Sequence, residues 1–198
     1  MMTVYTKSYP PPQVDIGEIL RYAGERGDGQ ELLHIVNESI SEAWDKLTYK
    51  LSYTVLPIEF TDSGIELGGV ISLNSKGLIK HLCGCDFAIV FAATVGIGID
   101  RLIKKSGVSS PLRALVFQAL GTERIEALCD MFCEELQLDY TNITSRFSPG
   151  YSDLSLDYQR EIFKVLSCEK NIGLSLNDSL LMSPSKSVSA IVGIKKQI

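Results

Sequence analysis

Apolar positions along the chain recur with two different periods, and the switches between them mark out the elements. From Gln30 to Leu47, the residues Leu33, Val36, Ile40, Ala43, Trp44 and Leu47 fall on one face of a helix. Asp28-Gly29 supplies a turn and a start for it. Leu51 to Leu56 and Ile65 to Leu73 predict short strands, joined as a hairpin through the turn signal Thr61-Asp62-Ser63-Gly64. Pro57 then calls for an edge position or a strand end, because proline cannot donate to a ladder. Ser75 to Leu82 predicts a short helix that leads to Cys83-Gly84-Cys85. Phe87 to Thr94 is apolar without interruption, the pattern of a central strand covered on both faces.

Gly96 to Lys105 predicts a helix ending at Gly107, and the longest helix follows. Ser110 is its natural N-cap, and Pro111 takes the first helical position, where a missing N–H costs nothing. Leu112, Leu115, Val116, Ala119 and Leu120 share a face that Ile125, Leu128, Phe132 and Leu136 continue, with Gly121 allowing close packing or a bend. Beyond Asp139 the texture turns to loops. A helix from Asp157 to Leu166, capped by Ser155, shows Ile162, Phe163 and Leu166 on one face, and Val188 to Ile194 reads as a last strand after a Ser/Pro/Lys loop. Strands and helices are segregated and do not alternate as βα units, which predicts an α+β fold. The expected organisation is one domain over 1–198, with 1–15 as an extended N-terminal arm set by Pro10-Pro11-Pro12.

Charge narrows the partners. The formal net charge is −5 and no basic run exceeds two residues, so nucleic acid, which needs a basic face, is not an expected partner. No apolar run has membrane-spanning length, and residues 1–15 contain no stretch resembling a signal peptide. Five cysteines, an odd number, fit a reduced, cytoplasmic protein.

Three candidate chemistries fall away on inspection. Gly96-Ile97-Gly98 follows the best strand, as in a dinucleotide fingerprint, but Arg101 stands where the third glycine belongs and no acidic residue completes the motif. Cys83, Cys85, Cys129 and Cys133 show no C-x-x-C knuckle, and His34 and His81 are isolated, with His34 next to the packed face of its helix. Buried or half-buried thiols are therefore the favoured reading, with a structural metal as the alternative. There is no G-x-S-x-G elbow for a nucleophilic hydrolase.

The informative stretch is Arg146-Phe147-Ser148-Pro149-Gly150-Tyr151. Pro149-Gly150 suits the central positions of a type II turn, which exposes backbone N–H groups and lets a ligand approach closely. Arg146 offers a planar fork that matches a carboxylate, and Tyr151 an aromatic face with a polar tip. Together they suit a small zwitterionic ligand bearing an aromatic group. By chemistry alone, an ordinary surface turn is the commoner reading of such residues.

The segment resembles the R-x-x-P-G-Y stretch of the activation domain of cobalamin-dependent methionine synthase. Ile172-Gly173-Leu174-Ser175-Leu176-Asn177-Asp178-Ser179 is similar to that family's I-G-[apolar]-x-L-[TN]-[DE]-S, and Met182 to Ser189 is similar to its M-x-P-x-x-S-V-S. Ala92 to Gly96, Arg113-Ala114-Leu115 and Glu126 to Asp130 fit its short members, so the likeness runs well over about 85 to 198 and poorly over the first 80 residues. It implies a bent antiparallel β-sheet flanked by helices, in a stand-alone form of the domain.

The resemblance also implies an activity. Cob(I)alamin is occasionally oxidised to cob(II)alamin and drops out of turnover; reduction is uphill, and methyl transfer from S-adenosylmethionine pulls it forward. The domain acts as the reactivation component of the methyltransferase by orienting the sulfonium methyl, with no side chain serving as acid or base. Carried over, Arg146 pairs the ligand carboxylate, Pro149 and Gly150 shape the turn and offer backbone contacts, and Tyr151 packs on or hydrogen-bonds the ligand; Ser148 lies in the motif with an open role. Ser187 and Ser189 support the adjacent strand. No D-x-H-x-x-G motif is present, so cobalamin belongs to a partner, a methionine synthase or another corrinoid protein, with an electron-donor protein as a further partner. The chain departs from the fused enzymes in its aliphatic Ile191-Val192, where they carry an aromatic, and in the short stretch after the S-V-S segment. A docking module that no longer binds S-adenosylmethionine is the alternative those departures leave.

Overall fold

The uninterrupted apolar run forms the middle of the sheet. In the computed structural model, which describes residues 2–25, 30–140 and 142–195, β5 (Phe87–Thr94) pairs antiparallel with β2 (Tyr49–Thr61) on one side and with β8 (Ser187–Ile194) on the other. Ile89, Phe91 and Ala93 point into one core and Ala88, Val90 and Ala92 into a second, so every position from 88 to 94 is buried. That double coverage explains why the strand lacks the usual alternation.

The first core is closed by α1 (Ile16–Tyr22), α2 (Gln30–Ala43), α4 (Gly98–Ser109) and α5 (Pro111–Asp139). The second is closed by α3 (Lys76–Leu82), α6 (Gln159–Leu166), α7 (Cys168–Ile172) and the hairpin of β3 (Gly64–Leu67) and β4 (Ile71–Leu73). The sheet order is β4-β3-β2-β5-β8, β1 (Tyr5–Tyr9) pairs with β2, and β6 (Ser175–Leu176) and β7 (Met182–Ser183) form a separate ribbon. The expected α+β class, an antiparallel sheet flanked by helices, is what the chain adopts.

The short helix expected from Ser75 begins at Lys76, with Ser75 Oγ accepting from Leu78 N as its N-cap. Other local expectations hold for the reasons given: Ser110 Oγ caps α5 at Arg113 N with Pro111 just inside. Ser155 Oγ accepts from Asp157 N, opening a 3-10 turn at Leu156–Tyr158 that runs into α6. Gly121 is a close-packing site: a Cβ there would lie 2.8 Å from Lys186 Cγ and 2.9 Å from Ile99 Cγ1.

Others need correction. Pro57 lies inside β2, neither at an edge nor at an end. Ile58 N donates to Asp86 O on the β5 side, whereas Pro57 O accepts from Gly68 N on the opposite edge. On that edge Pro57 continues the β2–β3 register opposite Gly68, where the partner strand turns away, so the proline closes that ladder with its carbonyl accepting and no N–H to offer. The single strand expected from Ile65 to Leu73 is two strands, because Gly68 and Gly69 at φ +58 and +67° turn the chain between them. Helix α4 runs through Gly107, which is exposed, to Ser109. Trp44 lies beyond α2 and is 53% exposed, and Leu112 and Leu115 stay on the solvent side of α5 while Val116, Phe117 and Leu120 pack inward. His34 is exposed and faces Glu38 at 3.2 Å. The expected turn at Asp28-Gly29 lies outside the described residues.

One buried ion pair ties the N-terminal segment to the helix layer. Arg124, 1% exposed, pairs with Glu123 and donates to Pro12 O and Gln13 O at 2.6 and 2.7 Å, while Glu123 Oε1 accepts from Asp15 N at 3.0 Å. Charges this deep persist because each donor and acceptor has a partner.

Candidate functional site

The segment after α5 runs antiparallel along the open side of β8. Thr144 N donates to Gly193 O, and Phe147 and Ile191 exchange both backbone bonds at 2.9 Å. Side chains alternate on such a segment. Arg146 therefore points to α5, and Phe147 points to the other layer, where its ring meets His81 of α3 at 5.0 Å. The two motifs found far apart in sequence are thus one structure: the R-x-x-P-G-Y segment rides on the strand that the S-V-S segment begins.

The turn is type II, as expected. Tyr151 N donates to Ser148 O at 3.0 Å, and Gly150 at the third position has φ +93°. Its N–H groups are not free for a ligand: Gly150 N donates to Leu154 O at 2.8 Å and Tyr151 N is taken by the turn itself. Pro149 is buried. Tyr151 is 57% exposed, its ring edge-on to Phe147 at 6.0 Å.

Arg146, Ser148 and Tyr151 line a single pocket of about 240 Å³, together with Glu126, Ser145 and Val188. Pro149 and Gly150 build the turn behind it and do not line it. On the far side of Glu126 an open groove of about 470 Å³ is walled by Asp15, Glu18, Glu123, Asp130 and Glu134. Glu126 and Val188 are contributions that the sequence motifs alone did not assign.

Arg146 is not alone in its pocket. Its Nη2 lies 2.8 Å from Glu126 Oε2 and 2.9 Å from Asp130 Oδ1. Burial works against the guanidinium charge, but Glu126 and Asp130 outweigh it and raise the pKa. Burial pushes the Cys129 thiol up to about 12, so that group is neutral near pH 7 and the two carboxylates hold the charge. One cation beside two anions leaves the site with a net negative balance.

The second motif anchors the first. Ser185 N donates to the Asp100 carboxylate, Lys186 Nζ to Thr122 Oγ1, and Ser187 Oγ to Thr94 Oγ1 at 2.8 Å, setting the entry into β8. Ser189 is buried, and its hydroxyl has no partner among the described residues. Ile191 and Val192, the aliphatic departure, are both fully buried and do not reach the pocket. The Gly96 and Gly98 pair serves packing: a Cβ at Gly98 would lie 2.0 Å from Lys46 O. Four of the cysteines are buried or half-buried; Cys83 is exposed.

A sequence model described as the vitamin B12-dependent methionine synthase activation domain matches residues 78–197, more than half of the chain. The chain belongs to that family. Comparison with curated proteins returns no match. Among solved structures, the crystal structure of the MetH reactivation domain bound to AdoHcy matches with a TM-score of 0.73 and 16% identity, over 100% of this chain and 81% of that one. At that identity the likeness is one of fold, and it spans residues before 78 as well, where sequence resemblance is poor.

Proposed function

We propose that this activation-domain chain binds S-adenosylmethionine at the Arg146–Tyr151 loop and presents its methyl group to cobalamin carried by a methionine synthase or another corrinoid protein. The observation that carries the reading is the convergence of Arg146, Ser148 and Tyr151 on one pocket with Glu126. Family membership gives that convergence its chemical meaning.

S-adenosylmethionine bears a carboxylate, an ammonium and a sulfonium, a net charge of +1. Arg146 takes the carboxylate, and Glu126 and Asp130 face the two cationic groups, so the negative balance of the site complements the ligand's positive charge. Tyr151 lays its exposed ring along the ligand, and Ser148 adds a hydroxyl at the pocket wall. Pro149 and Gly150 contribute shape. The pocket's volume of about 240 Å³ is below the roughly 300–1,000 Å³ of pockets that enclose a whole ligand. It accordingly holds one end and leaves the reactive region at the surface, where a second protein reaches it. Rate enhancement here is positional: the chain fixes the direction of the sulfonium methyl and needs no proton shuttle.

The shared β2–β5–β8 sheet between the two cores supports treating 1–198 as one domain, and 1–15 as an N-terminal arm, of which Tyr5–Tyr9 pair with β2 while Pro12, Gln13 and Asp15 are held by α5. Among the described residues, no helix is long and apolar enough to cross a membrane. We assign the cytoplasm on the free cysteines, which suit a reducing compartment. An electron-donor protein completes the proposed partners. Calorimetric titration with S-adenosylmethionine, using Arg146→Ala as control, tests the reading; normal affinity in a folded mutant would sink it.

A second reading, a docking module that does not bind S-adenosylmethionine, draws support from the partners already holding Arg146 and from the occupied N–H groups of the turn. No saturable heat in the wild type, together with co-purification of a corrinoid protein, would favour it.

A further inference from the structure

Helix α3 touches the site segment at both of its ends. At the N-terminus of α3, Asp153 Oδ1 accepts from Ser75 Oγ at 2.5 Å and from Gly77 N at 3.0 Å, and Oδ2 accepts from Lys76 N at 2.8 Å. At its C-terminus, His81 Nε2 sits 2.8 Å from Ser145 O while its ring packs on Phe147. The stretch from Arg146 to Ser152 hangs between these two points.

The contact is built for close approach. A Cβ on Gly77 would lie 2.7 Å from Ser152 Oγ and 2.9 Å from Ser152 Cβ, so only glycine lets the loop seat on the helix. Ser152 itself is left-handed at φ +53°, a conformation a non-glycine residue keeps only where its surroundings impose it. Leu154, 2% exposed, closes the turn by donating to Tyr151 O and accepting from Gly150 N. The carboxylate of Asp153 thus caps α3 and pins the turn in the same three bonds.

We propose that α3 is a splint for the ligand loop, with Asp153 and His81 as positioning residues that fix Arg146 relative to Tyr151. The inference rests on the ligand reading of that loop. Neither residue lines the pocket. Their effect passes through the backbone between the two fastenings, and a loop freed at either end would sample positions in which the guanidinium and the phenol no longer face the same ligand.

The test pairs amide hydrogen exchange by NMR with calorimetry on the full chain, for wild type, Asp153→Ala, Gly77→Ala, His81→Ala and Asp153→Asn. Expected are faster exchange at Gly150, Tyr151 and Leu154, a global thermal midpoint close to wild type, and weakening of S-adenosylmethionine binding by about tenfold in Asp153→Ala. Asp153→Asn, which keeps an acceptor, should recover part of the affinity. Unchanged exchange at these amides would overturn the proposal, as would faster exchange with unchanged affinity. Faster exchange in the variants of a wild type that binds no S-adenosylmethionine would support the splint and refute the ligand reading instead.

Discussion

Arg146 and Glu126 stand 20 positions apart in the chain and meet at 2.8 Å, Nη2 to Oε2, across the pocket floor. A lone arginine would favour any anion, whereas on the proposed function this pair, with Asp130 beside it, suits a ligand that carries both signs. Arg146→Ala should therefore abolish measurable S-adenosylmethionine binding while costing little stability. The pair is partly exposed, with side chains at 23 and 39% accessibility, and such pairs contribute about 1 kcal/mol or less. Urea denaturation and calorimetry on the same preparation check both halves.

The same arithmetic predicts selectivity between the methyl donor and its demethylated product. S-adenosylhomocysteine lacks the sulfonium charge and is neutral overall. Wild type should bind the sulfonium form more tightly, and Glu126→Gln should narrow the gap by a few-fold, as expected for loss of one partly exposed carboxylate. Competition titrations at low and high salt read this directly. Equal ratios in wild type and variant would show that Glu126 does not sense the sulfonium.

What the sequence disclosed, and what it hid, follows from the range of the interactions. Ser110-Pro111, Ser155 and Pro149-Gly150 are signals contained within four residues, and each forms where expected. The apolar run at 87–94 reveals a buried strand because burial on both faces leaves no polar position. His81, by contrast, looks isolated because its partner Ser145 is 64 positions away, and Arg124 looks like an ordinary charged helix residue until Pro12 and Gln13 arrive from the other end of the chain. Arg146 and Tyr151 stand out as candidates through family resemblance, but the pocket they share with Val188 and Glu126 exists only once β8 and α5 are placed. Helices α1 and α7 are seven and five residues long, too short to show a period.

The Arg124–Glu123 pair should behave as structure, not as site. Arg124→Ala leaves Glu123 a buried charge with only the Asp15 N–H on it, and takes the guanidinium from two backbone carbonyls, in a region 1 to 3% exposed. The expected loss is about 3–5 kcal/mol, the range for breaking a buried pair by removing one member. Chemical denaturation measures it; a loss below about 1 kcal/mol would mean that water reaches the pair.

Acid should release the loop late. Hydrogen bonds from Ser75, Gly77 and Lys76 hold the Asp153 carboxyl well below its ordinary value, at about 2. A folded value below the unfolded one means a contribution fully present above the ordinary carboxylate range and lost as pH falls through about 2. The amide resonances of Lys76 and Gly77 should accordingly titrate together near that pH, and the step should be missing in Asp153→Asn. Titration near the ordinary carboxylate value would show that these bonds do not persist in solution.

Two glycines in neighbouring helices should respond to alanine with opposite signs. At Gly107, in α4, a Cβ meets nothing within 4 Å, so alanine only removes unfolded-chain freedom and should stabilise by about 0.5–1 kcal/mol. At Gly121, in α5, the same change gains that helix preference but drives a methyl to 2.9 Å from Ile99 Cγ1, a fully buried group, and to 2.8 Å from the Lys186 stem. Overpacking of this kind costs about 1–3 kcal/mol and outweighs the gain. Lys186 leads into Val188 at the pocket wall, so Gly121→Ala should also weaken ligand binding, whereas Gly107→Ala should leave it unchanged. Thermal melts with and without S-adenosylmethionine separate the two effects, since a displaced pocket wall reduces the ligand-induced rise in midpoint beyond the loss of stability itself.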